Sequence, residues 1–230
     1  KAACAAAVLV AVLAVLAAVH WAGAPPPRGR TLSILDVASV ANPRVFFDIV
    51  AGSEPLGRLE FELFPRVAPN AAEHFRALAT GERGHSPSGV RLHYKGSVLH
   101  RIIPGSSCYG GDLYDDDLTG AGGAEPLDLR SDLQRGVLRF TEPGLLATAG
   151  VATWGSVEDG AQFLVTVAAA PKLDGRHVIF GRVSRGHSVL RSIEERGSRS
   201  GVPTDLVFIA NSGELGHGAV PLQEVEFLNE

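Results

Sequence analysis

A chain of 230 residues, 45% hydrophobic and 20% charged with a formal net charge of -4, has room for one domain with appendages and is too apolar to stay disordered. That charge balance offers no polyanion-binding surface, so nucleic acid is not an expected partner. Cys4 and Cys108 are the only cysteines, which excludes a disulfide framework as a fold determinant.

From the N-terminus, Ala2 to Val19 runs eighteen residues without a charge or strong polar group, long enough for one membrane span. A secretory signal is the competing reading, because Ala22 to Ala24 has an A-x-A pattern, but Pro25 directly after it opposes cleavage. Residues 1–24 are therefore expected to form a retained transmembrane anchor. Nine of the eighteen are alanine, so the segment is expected to pack against other membrane helices. Pro25 to Pro27 reads as a stiff polyproline spacer, and 25–41 as a linker in which Thr31 to Ala41 shows no clear period.

Arg44 to Val50 and Arg58 to Phe64 are β-rich runs around a turn-like Gly52 to Gly57 segment, which predicts a hairpin. Asn70 is placed to cap a helix through Thr80, with Ala72, Phe75, Leu78 and Ala79 inward and Gly81 as the stop. Leu99 to Ile103 predicts a strand whose period of two puts Leu99, Arg101 and Ile103 on one face and His100 and Ile102 on the other. Taken alone, Arg101 is an arginine whose stem covers apolar surface while its head reaches water. A second, shorter helix is predicted from Ser188 to Arg196, with Val189, Leu190 and Ile193 inward before Gly197.

A set of segments then occurs in a recognisable order: Val45 to Ile49 (V-F-F-D-I), Phe61 to Phe64 (F-E-L-F), His74 to Glu82, His93 to Ser97, and Leu99 to Asp112 (L-H-R-I-I-P-G-S-S-C-Y-G-G-D). Glu142 to Leu146, Ala161 to Phe163, Leu173 to Gly181 (L-D-G-R-H-V-I-F-G) and Gly197 to Gly201 (G-S-R-S-G) follow. In these the chain resembles the cyclophilins over about Asn42 to Leu215. The resemblance implies a mainly β domain at 42–215, a closed eight-stranded antiparallel barrel capped by two α-helices, with 216–230 as a tail. Gly84 to Leu92 is longer than the usual link and looks like the divergent-loop subgroup. The positions of that subgroup's redox-linked cysteine pair are Ala79 and Ser212 here, so redox control is not carried over.

The reaction implied is rotation about an Xaa-Pro amide, which needs no nucleophile, metal or net proton transfer. Its uncatalysed barrier is about 18–20 kcal/mol, and a twisted amide has a pyramidal nitrogen able to accept a hydrogen bond. By resemblance Arg101 donates that bond, while Gln162, Ala149, Leu173 and His177 match residues that hold the substrate. Other pocket positions depart from the family: Ser106 and Ser107 stand for phenylalanine and methionine, Leu164 for a second phenylalanine, Tyr109 for a glutamine, Gly150 for an asparagine and Lys172 for tryptophan or histidine. Tyr109 and Leu164 thus complete the expected substrate-binding set.

Alternative sites are weaker. His100, Ser106 and Asp112 lack a nucleophile elbow, Asp112 with Asp115 to Asp117 lacks the calcium-loop pattern, and no cofactor or metal is assigned. The expected protein is a single-pass membrane-anchored domain, organellar or endomembrane, that binds proline-containing peptides or proteins and the other subunits of a membrane complex. Its isomerase activity is expected to be weak or lost, the alternative being an active isomerase that assists folding.

Overall fold

The computed structural model describes residues 31–113, 127–135, 138–150, 156–157 and 160–216. The expected anchor, the spacer through residue 30 and residues 217–230 lie outside them, as do Asp115 to Asp117. Among the described residues no helix is long and apolar enough to cross a membrane. The elements are α1 (Ile34–Val37), β1 (Arg44–Ala51), β2 (Glu54–Leu63), α2 (Pro69–Thr80), β3 (Arg101–Ile103), β4 (Ser107–Gly110), β5 (Leu127–Asp128) and α3 (Arg130–Arg135). They continue with β6 (Leu145–Thr148), β7 (Ser156–Val157), β8 (Phe163–Thr166), β9 (Ile179–Arg185), α4 (His187–Glu195) and β10 (Val207–Leu215). Eight strands form an antiparallel sheet in the order β10-β1-β2-β9-β6-β8-β4-β3, and β5 pairs with β7.

The predicted hairpin is present with a tighter turn. β2 starts at Glu54, because Pro55 can face Val50 where the register shifts, and Gly57, at φ 117°, lies beside that irregularity opposite Ile49. Strict alternation buries Val45, Phe47, Ile49 and Ala51 on one face of β1. Helix α2 spans the predicted length, but Asn70 is not its cap. Pro69 takes the first helical position, which needs no donor, and the free N–H groups of Asn70 and Ala71 donate to Asp132 Oδ1 (3.1 Å) and Oδ2 (2.9 Å) from α3. A carboxylate brought from another helix thus does the work expected of the local side chain. Gly81, at φ 71°, closes the helix through its N–H to Ala77 O, and α4 buries the three predicted residues.

Strand β3 is shorter than expected. The chain before it bonds to β10 instead, with Gly96 N to Ile209 O at 2.8 Å, Ile209 N to Ser97 O at 2.9 Å and Leu99 N to Val207 O at 2.8 Å. Leu99 therefore joins the interior cluster that also holds Ile102, and does not share a face with Arg101. That cluster is built on Phe47, Phe61, Phe75, Tyr94 and Phe163, whose rings meet at 5.0–5.9 Å between centroids, with Tyr94 Oη donating to Ala161 O.

The opposite face of the sheet carries a second cluster of Phe64, Leu145, Ala147, Leu164, Leu173 and Ile179. Ile34 and Val37 of α1 are buried in it, so a segment whose sequence shows no period folds onto the domain. Glu62, only 2% exposed, fixes that segment: Oε1 accepts Ser39 N (2.7 Å) and Asn42 Nδ2 (2.9 Å), and Oε2 accepts Arg182 Nε (2.9 Å). The insertion forms a small loop closed by Leu92 N to Gly84 O, and the two subgroup cysteine positions are neighbours, with Ser212 Oγ donating to Ala79 O at 2.8 Å.

Candidate functional site

Register assembles the site on this second face. Arg101 on β3 pairs with Tyr109 on β4, Tyr109 with Leu164 on β8, Leu164 with Ala147 on β6, and Ala147 with Ile179 on β9. Because side chains directly opposite share a face, these form one row: a cation at the sheet edge, then an aromatic ring, then aliphatic residues. Leu173 joins the same cluster from the short 3₁₀ turn Pro171–Leu173, and Tyr109 packs against it.

Arg101 is exposed, and among the described residues none hydrogen-bonds or ion-pairs with its guanidinium. Its position is set by packing. The guanidinium carbon lies 5.6 Å from the centroid of the Tyr109 ring, within cation–π range. On another side lies Gly201, whose φ is +90°; a Cβ there would stand 3.0 Å from Arg101 Cγ and Nε. The loop carrying Gly201 is tied to β3 by Ile102 N to Gly201 O (2.8 Å) and Ser198 N to Ile102 O (3.3 Å). In the sequence Gly201 is no more than the end of G-S-R-S-G; its contact with a residue 100 positions away has no local signal.

Gly201→Ala is accordingly expected to push the Arg101 side chain off the ring face. The check is the Nε–H NMR resonance of Arg101, which is expected to shift in this variant. Gly52→Ala is the control: Gly52 has φ +57° and nothing lies within 4 Å of where its Cβ would stand, so that change carries the backbone strain without the clash.

The remaining expected residues divide into two groups. Ala149 and Gln162 are joined by Ala149 N to Gln162 O (3.1 Å) where β6 and β8 diverge, and both are half-buried. His177 Nδ1 lies 2.9 Å from Thr148 O, so its ring is held to the end of β6. Burial keeps its imidazole below the ordinary range, against a smaller opposing effect of that carbonyl. Leu164 is fully buried and lies beneath the surface that a peptide could touch. Ser107 is fully buried as well, in the ladder between Ile103 and Thr166, whereas Ser106 is half-buried with its hydroxyl 3.4 Å from that of Ser107.

Cys108 faces the interior, and burial pushes its thiol up to about 12. His100 is held below its usual range by burial, more strongly than Asp112 raises it. Among the described residues no group of three or more His, Cys, Asp or Glu could hold a metal ion. The family model of the cyclophilin type peptidyl-prolyl cis-trans isomerase/CLD matches residues 46–214.

Proposed function

This chain belongs to the cyclophilin family, and from that premise we propose that its second sheet face is a proline-peptide site at which Arg101 assists rotation of the Xaa-Pro bond, slowly. The observation that carries the proposal is the exposed guanidinium of Arg101, without a hydrogen-bond or ion-pair partner among the described residues, standing at the end of an otherwise apolar row. A planar group with a permanent charge can donate to the amide nitrogen as it becomes pyramidal, and the apolar neighbours strengthen that bond by excluding water. Gln162 and Ala149, at the divergence of β6 and β8, are the residues proposed to hold the substrate backbone, with Leu173 and Tyr109 against the proline ring.

Slow catalysis is supported by the half-buried serine at 106, which offers the proline ring less apolar surface than the phenylalanine expected there by resemblance. The hydrogen bonds joining the segment before β3 to β10 support a closed barrel. The apolar run at 2–19 supports a single-pass anchor in an organellar or endomembrane compartment, with the domain serving as a binding or structural subunit of a membrane complex. A fully active isomerase is the second reading. Tyr109 favours it, because its ring packs against the cluster and supplies part of a wall.

The test is the isomerisation rate of an Ala-Pro peptide, measured by NMR exchange with the native chain and with Arg101→Ala and Arg101→Lys. Native catalysis that is measurable, lost in Arg101→Ala and largely lost in Arg101→Lys is the expected result. A rate unaffected by Arg101→Ala would remove Arg101 from the chemistry.

A further inference from the structure

The strands and loops that build the site are 98–110, 145–150, 161–178 and 197–203. They contain four cations, Arg101, Lys172, Arg176 and Arg199, against a single carboxylate, Asp174, with one more reaching them from α4, where Glu194 Oε1 accepts Gly105 N at 2.7 Å, in a chain whose net charge is -4. Asp174 is already engaged: Oδ1 accepts Phe140 N at 2.9 Å and Oδ2 accepts Arg139 Nη1 at 3.2 Å. All four cations are exposed, and among the described residues none of them has a hydrogen-bond or ion-pair partner. Elsewhere Arg58, Arg76, Arg130, Arg182, Arg185 and Arg196 are paired with carboxylates, while Arg66, Lys95 and Arg191 are scattered, exposed and, among the described residues, likewise without such a partner.

Placement makes the imbalance directional. Arg199 lies in the loop whose backbone bonds both sides of Ile102, next to Arg101 at the β3 end of the row. Lys172 adjoins Leu173, which is packed in the row's cluster, and Arg176 adjoins His177, which is bonded to the end of β6. The cations therefore bracket the row from both ends.

We infer that this site selects proline segments flanked by carboxylates, aspartate or glutamate on either side of the Xaa-Pro pair. The inference rests on the proline-peptide reading above and adds the substrate class. Exposed charges attract weakly one at a time, but several acting together on one peptide change affinity by about tenfold, and salt screens them. The same field speeds encounter with an acidic segment.

The experiment titrates the full chain with three blocked peptides that share a central Ala-Pro and carry two glutamates, two alanines or two lysines on each side. At low ionic strength the glutamate peptide is expected to bind about tenfold more tightly than the lysine peptide, with the alanine peptide between them. Concentrated salt should collapse the series, and Lys172→Glu with Arg199→Glu should invert it. Equal affinity for the three peptides, or a preference untouched by salt or by the charge reversals, overturns the inference while leaving the proline site standing. Absence of binding by all three overturns the proline-peptide reading and this inference with it.

Discussion

Glu62→Ala is expected to lower the unfolding free energy by about 3 kcal/mol, the low end of the range for removing one partner of a buried ion pair. Glu62 is 2% exposed on β2 and its side-chain oxygens take three donors: the Ser39 amide, the Asn42 side chain and Arg182. Without it, the Asn42 side chain keeps only its bond to Val37 O, the Ser39 amide loses its acceptor, and Arg182 must be rehydrated. Arg182 is 32% exposed and can reach water, which is why the loss stays at the lower end. The segment from α1 to Asn42 should loosen first, because Ile34 and Val37 are held on the sheet by little beyond their own burial once the carboxylate is gone. Urea denaturation gives the free energy, and hydrogen exchange at Ala38 and Ser39 gives the local opening. Glu62→Gln keeps the shape and the amide acceptor and should cost roughly half as much, on the order of 1.5 kcal/mol. A loss below about 1 kcal/mol for the alanine variant would mean that the clamp contributes only as a surface pair does.

The contrast between Glu62 and Phe47 shows which features a sequence can disclose. Phe47 is one of a run of alternating apolar residues, and period two is enough to put it inside. The apolar spacing of Ala72, Phe75, Leu78 and Ala79 and the glycine at 81 likewise suffice for α2, because helix periodicity and a left-handed stop are local properties. Glu62 lies in a strand where it reads as an outward polar residue. Its burial depends on Arg182, which is 120 residues away, and on a segment of 31–41 with no period of its own. Asp132 is the same kind of case: it caps α2 from 62 residues away, whereas the local pattern favours Asn70.

At the site, Arg101 and Tyr109 can be singled out from the motif that contains both, but their juxtaposition comes from the β3–β4 register. Leu99 departs from the face that period two predicts because its backbone is claimed by Val207 before β3 begins. Gly201 needs the loop from 197 to fold back on β3 before its missing side chain has any meaning. Register between paired segments, which carries no periodic signature, accounts for each of these, and for Leu99 and Gly201 the partner lies about 100 residues away.

The isomerisation rate of the native chain is expected to be low and to rise by about 10- to 100-fold in Ser106→Phe, the gain vanishing when Arg101→Ala is added. Burying one large apolar side chain against the proline ring is worth about 1.5–3 kcal/mol, and if most of that applies at the transition state the rate follows at about tenfold per 1.4 kcal/mol. Position 106 is suited to the change: it is half-buried in the turn between β3 and β4, and its backbone is held by Ser106 N to Ile103 O and Val167 N to Ser106 O, so a larger side chain need not disturb the fold. Position 107 is not. Ser107 is fully buried between Ile103 and Thr166, and a methionine there would overpack the sheet at a cost of about 1–3 kcal/mol. The double replacement of 106 and 107 by the family's residues should therefore gain less than Ser106→Phe alone and should be less stable. Rates at equal folded concentration for the native chain, the two variants and Ser106→Phe with Arg101→Ala separate the electrostatic from the apolar part. A high native rate that Ser106→Phe does not raise would show that the wall is already supplied, and would favour the reading of a full isomerase.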